Sequence, residues 1–280
     1  MPVSFNSPPR NFFLLGSSGE DIITNFFSNV DQSAGTDGQF HPDEIRYNYS
    51  DQKYILAGSA SDSNSKGFGW FEKRDYNGTS APLDWDVRVE STTSANTTLR
   101  ALELDSANNL IVVGFSGTVP WIAKYSNSGV LDWQSTSASA NVRYLGVTSD
   151  SNENYYACGR TSLSASDTQA FVEKFDSNGN PGWGKSAFML GRDVVLKKIA
   201  VDTRGHVVSV GHLEDDNATK GYIIKLDTAT GDVLWDRTLE SFEILSGSIY
   251  KSVLCESVFI DNKDQIYVVG RVSDLSLIHI

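Results

Sequence analysis

The chain has 280 residues, 35 acidic and 23 basic, for a formal net charge of −12, and 40% of it is hydrophobic. That is apolar enough for a substantial core, while the acidic balance argues against nucleic acid and anionic membrane surfaces, which both call for a basic face. No stretch approaches the ~20 apolar residues of a membrane span, so no membrane insertion is expected, and the opening ten residues show no basic-then-apolar secretion signal.

Residues 1–43 stand outside the pattern that follows. Asn11-Phe-Phe-Leu-Leu-Gly16 reads as a strand, and Ile23, Phe26 and Phe27 sit at helical spacing within Glu20 to Asn29. The expectation is a segment that covers an edge of the first repeat or docks to a larger assembly.

From residue 44 to 274 one unit recurs. Trp85, Trp133, Trp183 and Trp235 are 48, 50 and 52 residues apart, and Lys73, Lys124, Lys174 and Lys225 step by 51, 50 and 51. Each lysine ends an apolar phrase such as Trp121-Ile-Ala-Lys124 and precedes a turn: Asp75 to Gly78, Ser126 to Gly129, Asp176 to Gly179 and Asp227 to Gly231. Asp, Asn and Ser cap such turns and Gly supplies a positive φ, so two strands pair across each. Upstream, apolar runs end in Gly: Tyr54 to Gly58, Leu110 to Gly114, Tyr155 to Gly159, Val207 to Gly211 and Ile266 to Gly270. Turns led by Asp105, Asp150, Asp202 and Asp261 precede four of these runs, with another short strand before each.

Four short strands per unit of about 50 residues predict a twisted antiparallel sheet that must stack on its neighbours. The fold class is therefore all-β, a β-propeller with four complete blades and a fifth cut off after its second strand. The lysines read as strand ends pointing to solvent. The final Leu275-Ser-Leu-Ile-His-Ile280 is what CTG TCT CTT ATA CAC ATC encodes, the end of a transposase adapter. Residues 275–280 are expected to be sequencing-adapter read-through, with the natural chain continuing past Asp274 and no role for His279.

Several local motifs have a plain structural explanation. Gly179-Asn-Pro-Gly-Trp-Gly-Lys185-Ser186 fits the phosphate-loop pattern, but a working loop opens a helix and this one repeats the turn-and-Trp phrase. Asp176 to Asn180 and Asp150 to Asn154 resemble half a calcium loop without its later bidentate Glu, and turn chemistry accounts for both. His206 and His212 bracket one strand roughly 20 Å apart, too far to share a metal, and read as hairpin-end residues. Cys158 and Cys255 lie two blades apart and read as small buried hydrophobes without a disulfide. Asn48, Asn77, Asn96 and Asn217 head Asn-x-Ser/Thr sequons, read as turn composition. Innermost strands would line a central channel; their alignment puts Arg100, Leu145, Lys197 and Glu256 at one position and Ala101, Gly146, Lys198 and Ser257 at the next. No catalytic, cofactor-binding or metal residue is singled out, and no cofactor is expected.

The phrases Asp202-Thr-Arg-Gly-His-Val-Val-Ser-Val-Gly211, Tyr222-Ile-Ile-Lys-Leu-Asp227 and Leu234-Trp235 resemble the bacterial β-propeller repeat of surface and virion proteins. The N-terminus resembles, in overall texture, structural proteins of marine tailed phages, notably cyanophages. Lys225 to Trp235 resembles the tryptophan-docking phrase of quinoproteins, which implies an indole stacked between blades with its N–H on a carbonyl. These resemblances imply a non-enzymatic structural or interaction propeller of a phage virion, associated with a tail or fibre and presenting loops to a protein or surface-glycan partner. One alternative is a bacterial cell-surface or secreted binding propeller, and another is a propeller enzyme of quinoprotein or lyase type.

Overall fold

The computed structural model describes residues 40–61, 66–75, 83–90, 96–139, 141–164, 167–186, 192–215, 218–239 and 252–273. The N-terminal strand and helix expectations, the Asp75 to Gly78 turn beyond Asp75, Asn77, Asn217 and residues 275–280 lie outside them. The described elements are all strands. Blade 1 is β1 (Phe40–Asn48), β2 (Lys53–Ser61), β3 (Gly67–Asp75) and β4 (Leu83–Val89). Blade 2 is β5 (Thr97–Leu104), β6 (Leu110–Ser116), β7 (Val119–Tyr125) and β8 (Leu131–Ser135). Blade 3 is β9 (Val142–Ser149), β10 (Tyr155–Ser164), β11 (Asp167–Phe175) and β12 (Pro181–Ser186). Blade 4 is β13 (Asp193–Val201), β14 (Val207–Asp215), β15 (Ala218–Leu226) and β16 (Val233–Leu239), and β17 (Ser252–Ile260) and β18 (Ile266–Ser273) open blade 5.

Each complete blade is an antiparallel meander in chain order, and β17 and β18 form a two-stranded sheet. The class is the expected one: all-β, with four complete four-stranded blades of the β-propeller kind and the first two strands of another. The first blade begins earlier than residue 44, because Phe40, His41 and Pro42 already pair with Ala60, Ser59 and Gly58. The chain divides into two compact units at Gln134 and Ser135, one carrying blades 1 and 2 and the other blades 3, 4 and the β17–β18 pair.

Stacking within each unit explains the sequence pattern. In the first, Ile55, Ala57 and Phe71 of blade 1 share a core with Leu99, Leu102, Leu110, Val112 and Trp121 of blade 2. In the second, Tyr156, Cys158 and Val172 of blade 3 pack with Val194, Leu196, Tyr222 and Ile224 of blade 4, whose Val208 and Val210 meet Cys255 and Val258 across the opposite face. A second strand covered on both faces is apolar throughout rather than alternating. Residues 110–113, 155–158 and 207–210 are accordingly all buried. By contrast β18 leaves Tyr267 and Val269 about half exposed, at 48% and 49%.

The turns carry out the chemistry that their composition predicted. Asp105, Asp150, Asp202 and Asp261 each accept, on one carboxylate oxygen, the N–H groups two and four residues on. The left-handed residue that closes each turn is Asn108, Glu153, Gly205 or Asp264, so glycine is used in one of the four. Asp176 binds its own turn in the same way, through the N–H groups of Asn178 and Asn180.

The glycines that close the apolar runs are not strand ends. Gly114, Gly159, Gly211 and Gly270 lie inside β6, β10, β14 and β18, each opposite a β-bulge in the preceding strand. The bulge pushes a backbone carbonyl over the glycine, so that a Cβ there would stand 1.9–2.1 Å from the oxygen of Thr98, Arg143, Val195 or Leu254. A bulge adds one unpaired residue to its strand, and only a residue without a side chain lets the partner backbone approach this closely. Gly211→Ala is therefore expected to cost about 3 kcal/mol or more, or to prevent folding, through steric overlap at a backbone atom that cannot yield. Urea unfolding of the purified variant checks this, with Gly205→Ala, at an open turn position, as the milder comparison.

Candidate functional site

The repeated lysines are not solvent-facing, which corrects the reading drawn from their spacing. Lys73 is 3% exposed and Lys124 6%. Their ammonium groups turn back onto the blade's first turn: Lys73 pairs with Asp51, Lys124 with Asp105 at 3.1 Å and Lys225 with Asp202 at 2.5 Å. The physical reason is reach, since the long stem runs along its own sheet to a carboxylate in the neighbouring turn, which in blades 2 and 4 is the one that accepts that turn's N–H groups. Burial alone would raise the pKa of Asp202, but hydrogen bonds from Lys225 and from the His206 N–H hold it below the ordinary carboxylate value.

A second contact ties blade 1 to blade 2 and blade 3 to blade 4. The Trp183 indole N–H donates to the Thr228 carbonyl of blade 4 at 3.0 Å, and Lys174 donates to the same oxygen at 3.2 Å. In blades 1 and 2, Trp85 and Lys73 reach the Asn127 carbonyl at 3.2 and 3.3 Å. Each indole lies against the turn glycine of the following blade, Gly129 for Trp85 and Gly231 for Trp183, both at positive φ. Indole docking with the N–H on a carbonyl is thus an architectural contact at Trp85 and Trp183, whereas the quinoprotein resemblance was carried by Trp235.

Between blades 3 and 4 these turns enclose a cleft of about 570 Å³, lined by Asn152, Tyr156, Lys174, Thr203, Arg204 and Thr228 with the two turn aspartates behind them. Tyr156 donates its hydroxyl to Asp150 at 2.9 Å. Burial and the adjacent Asp150 carboxylate push its phenol well above the ordinary value. Lys174 also lies 5.7 Å from the centre of the Tyr156 ring. Both carboxylates are thus occupied by backbone N–H groups and neighbouring side chains, while Asn152 and Arg204 are exposed at the mouth, Arg204 with its Nε 3.3 Å from Asp264. The phosphate-loop match is β-strand from Pro181 to Ser186, so Lys185 and Ser186 lie in a strand where a working loop would open its helix. Among the described residues, no group of three or more His, Cys, Asp or Glu is placed to hold a metal.

The residues aligned on the first strands turn out to be the bulge positions. Arg100, Leu145, Lys197 and Glu256 are the extra residues of their strands, and Asp43, which the alignment missed, is the fifth. In the first unit Arg100 lies 3.7 Å from Asp43 and over the Phe115 ring. In the second, Lys197 binds both oxygens of Glu256 at 2.7 and 2.8 Å, and Arg271 reaches Glu256 at 3.2 Å. At the next position Ala101 and Gly146 are buried, and Lys198 and Ser257 are partly so. His206 is a hairpin-end residue, but His212 is not: it sits within β14 opposite Val195, because the strand continues past Gly211. Cys158 and Cys255 are buried free thiols, pushed by burial up to about 12 and about 11.

The sequence matches no family model and no curated protein. Among solved structures it is similar to Drosophila plexin A in a complex with semaphorin 1b, at 10% identity over 83% of this chain and 72% of that one, with a TM-score of 0.35. It is also similar to Drosophila semaphorin 1b extracellular domains 1–2, at 11% identity over 89% and 76%, TM-score 0.35. A luciferin-regenerating enzyme matches at 12% identity over 84% and 91%, TM-score 0.27. These likenesses carry no residue role over to this chain.

Two outcomes follow from the geometry. Trp183→Phe keeps a ring and removes the donor, with an expected cost of about 1 kcal/mol, whereas Trp183→Ala also loses the packing and is expected to cost about 3 kcal/mol in denaturant unfolding. Burial and nearby Lys197 hold the His212 pKa below its ordinary value, against opposing pulls from Glu214 and Glu256. The unfolded chain therefore binds the extra proton first, so His212 lowers stability as pH falls through about 6.5 and towards its folded value. In thermal melts across pH 7 to 5, wild type is expected to lose more melting temperature than His212→Gln as the pH is lowered.

Proposed function

We propose that this chain is a non-enzymatic interaction module whose stacked blades hold their turns rigid for a partner at the cleft between blades 3 and 4. The observation that carries this is the division of labour in those turns. Asp150 and Asp202 fix the backbone through their own N–H groups, and Asp264 of the β17–β18 turn holds Thr203 and Arg204 in place, so the rim presents Asn152, Thr203 and Arg204 on a backbone that is already set. A rim of amide, hydroxyl and guanidinium groups around a polar floor suits a surface glycan or a polar protein loop, recognised by several directed hydrogen bonds. We place the module in a phage virion, as a tail- or fibre-associated component, a setting supported by the resemblance of the N-terminal residues and of the repeat. A cell-surface or secreted binding protein is the other setting that the same geometry serves.

Binding of the labelled full chain to a glycan array and to intact host cells tests the reading. Arg204→Gln together with Asn152→Ala is expected to lower binding at least tenfold, with the melting temperature changed by no more than loss of the exposed Arg204–Asp264 pair allows. Undiminished binding by that double variant would place the partner elsewhere. Detection of the chain by mass spectrometry in purified particles would support the virion setting, and its absence from them would remove it.

A further inference from the structure

The contact between blades 1 and 2 differs from that between blades 3 and 4 in one chemically important way. Where blade 4 offers Thr228, blade 2 offers Asn127, which brings a carboxamide to the buried lysine of the preceding blade. Lys73 Nζ lies 2.7 Å from Asn127 Oδ1, with the amide carbon one bond beyond. Asp51 Oδ2 pairs with the Lys73 ammonium and lies 3.5 Å from Asn127 Nδ2, so one carboxylate oxygen faces both nitrogens. Asn48, fully buried, donates Nδ2 to Asn127 Oδ1 at 3.1 Å. The other oxygen, Asp51 Oδ1, is buried without a hydrogen-bond partner. No part of the blade architecture calls for a carboxamide here, since the Lys174 contact is made with a backbone carbonyl alone.

We propose that Lys73 and Asn127 join as an intramolecular isopeptide bond, with Asp51 carrying the protons. Asp51 Oδ2 takes one proton from the ammonium, and the freed Nζ lone pair attacks Asn127 Cγ. Negative charge gathers on Oδ1, where the Asn48 N–H already points, as an oxyanion donor should. Asp51 then hands its proton to Nδ2, the Cγ–Nδ2 bond breaks and ammonia leaves. The second proton shed by Nζ leaves with it, so ammonium and a neutral secondary amide remain. The lysine ammonium and the carboxamide supply every atom, nothing is oxidised or reduced, and no co-reactant is needed. Burial of Lys73, at 3% exposure, excludes competing water, and the fold holds nucleophile and acyl group together at high effective concentration. Blades 3 and 4 form no such bond, because Thr228 has no side-chain acyl group.

The test is the mass of the full chain after folding, incubation near neutral pH and unfolding, followed by peptide mapping. The expected result is a chain lighter by one ammonia, with a branched peptide that joins the Lys73 and Asn127 segments. Lys73→Met and Asn127→Ala are expected to keep the full mass, as is Asp51→Asn, which preserves shape and removes the proton carrier; circular dichroism confirms that each is folded. Recovery of the two segments as separate peptides after days in the folded state would overturn the proposal. So would loss of ammonia without a branched peptide, which is what cyclisation of Asn127 onto its own backbone would give. A folded Asp51→Asn chain that links as fully as wild type would overturn the role of Asp51.

Discussion

A single backbone carbonyl in the β3–β4-type turn, that of Asn127 or Thr228, is the point on which the stacking of neighbouring blades turns. It accepts the indole N–H and the lysine ammonium of the preceding blade, while the glycine two or three residues on lets the indole ring lie flat against the turn. Both donors are half-buried or buried, so losing the acceptor would strand polar groups away from water. In blades 2 and 4 the lysine at this position also neutralises the aspartate that shapes the first turn of its own sheet, and in blade 1 it pairs with Asp51 in that turn. Turn geometry, blade stacking and the burial of charge are thus parts of one network.

Much of the architecture was legible because it rests on local chemistry. Asp at the head of a turn, a run of Val, Ile and Tyr, and Trp at a fixed period each have one physical use in a stacked sheet, and the strand order followed. What the one-dimensional pattern hid was the third dimension of two residue types. Lysine at a fixed repeat position reads as a solvated charge, and nothing in its own neighbourhood announces the aspartate about twenty residues upstream that it folds back to meet. Glycine after an apolar run reads as a stop, although the strand continues through it. The bulge opposite was invisible, because its extra residue is Asp43, Arg100, Leu145, Lys197 or Glu256 and has no common chemistry. The cleft was hidden for a related reason, since it is built by the turns at Asp150 and Asp202, 52 residues apart, which come together only when blades stack.

The binding reading and the covalent inference draw on different parts of the molecule. The cleft between blades 3 and 4 keeps its lysine and tyrosine engaged with each other and with Asp150 and Thr228, and it presents Asn152, Thr203 and Arg204 exposed at its rim. The corresponding place between blades 1 and 2 gathers an amine, an amide and a carboxylate instead. Repetition makes the contrast interpretable: the scaffold is held constant and the side chain at one turn position changes the chemistry available.

The bulges carry a consequence for how such a chain can change. A residue extruded from the hydrogen-bond ladder owes nothing to its strand partner, so its side chain can be exchanged while the glycine across from it cannot. Five equivalent sockets already hold aspartate, arginine, leucine, lysine and glutamate. Each is a one-residue substitution away from a different charge or shape, so a designer, like natural variation, could rewrite that edge of the sheets position by position without rebuilding a blade.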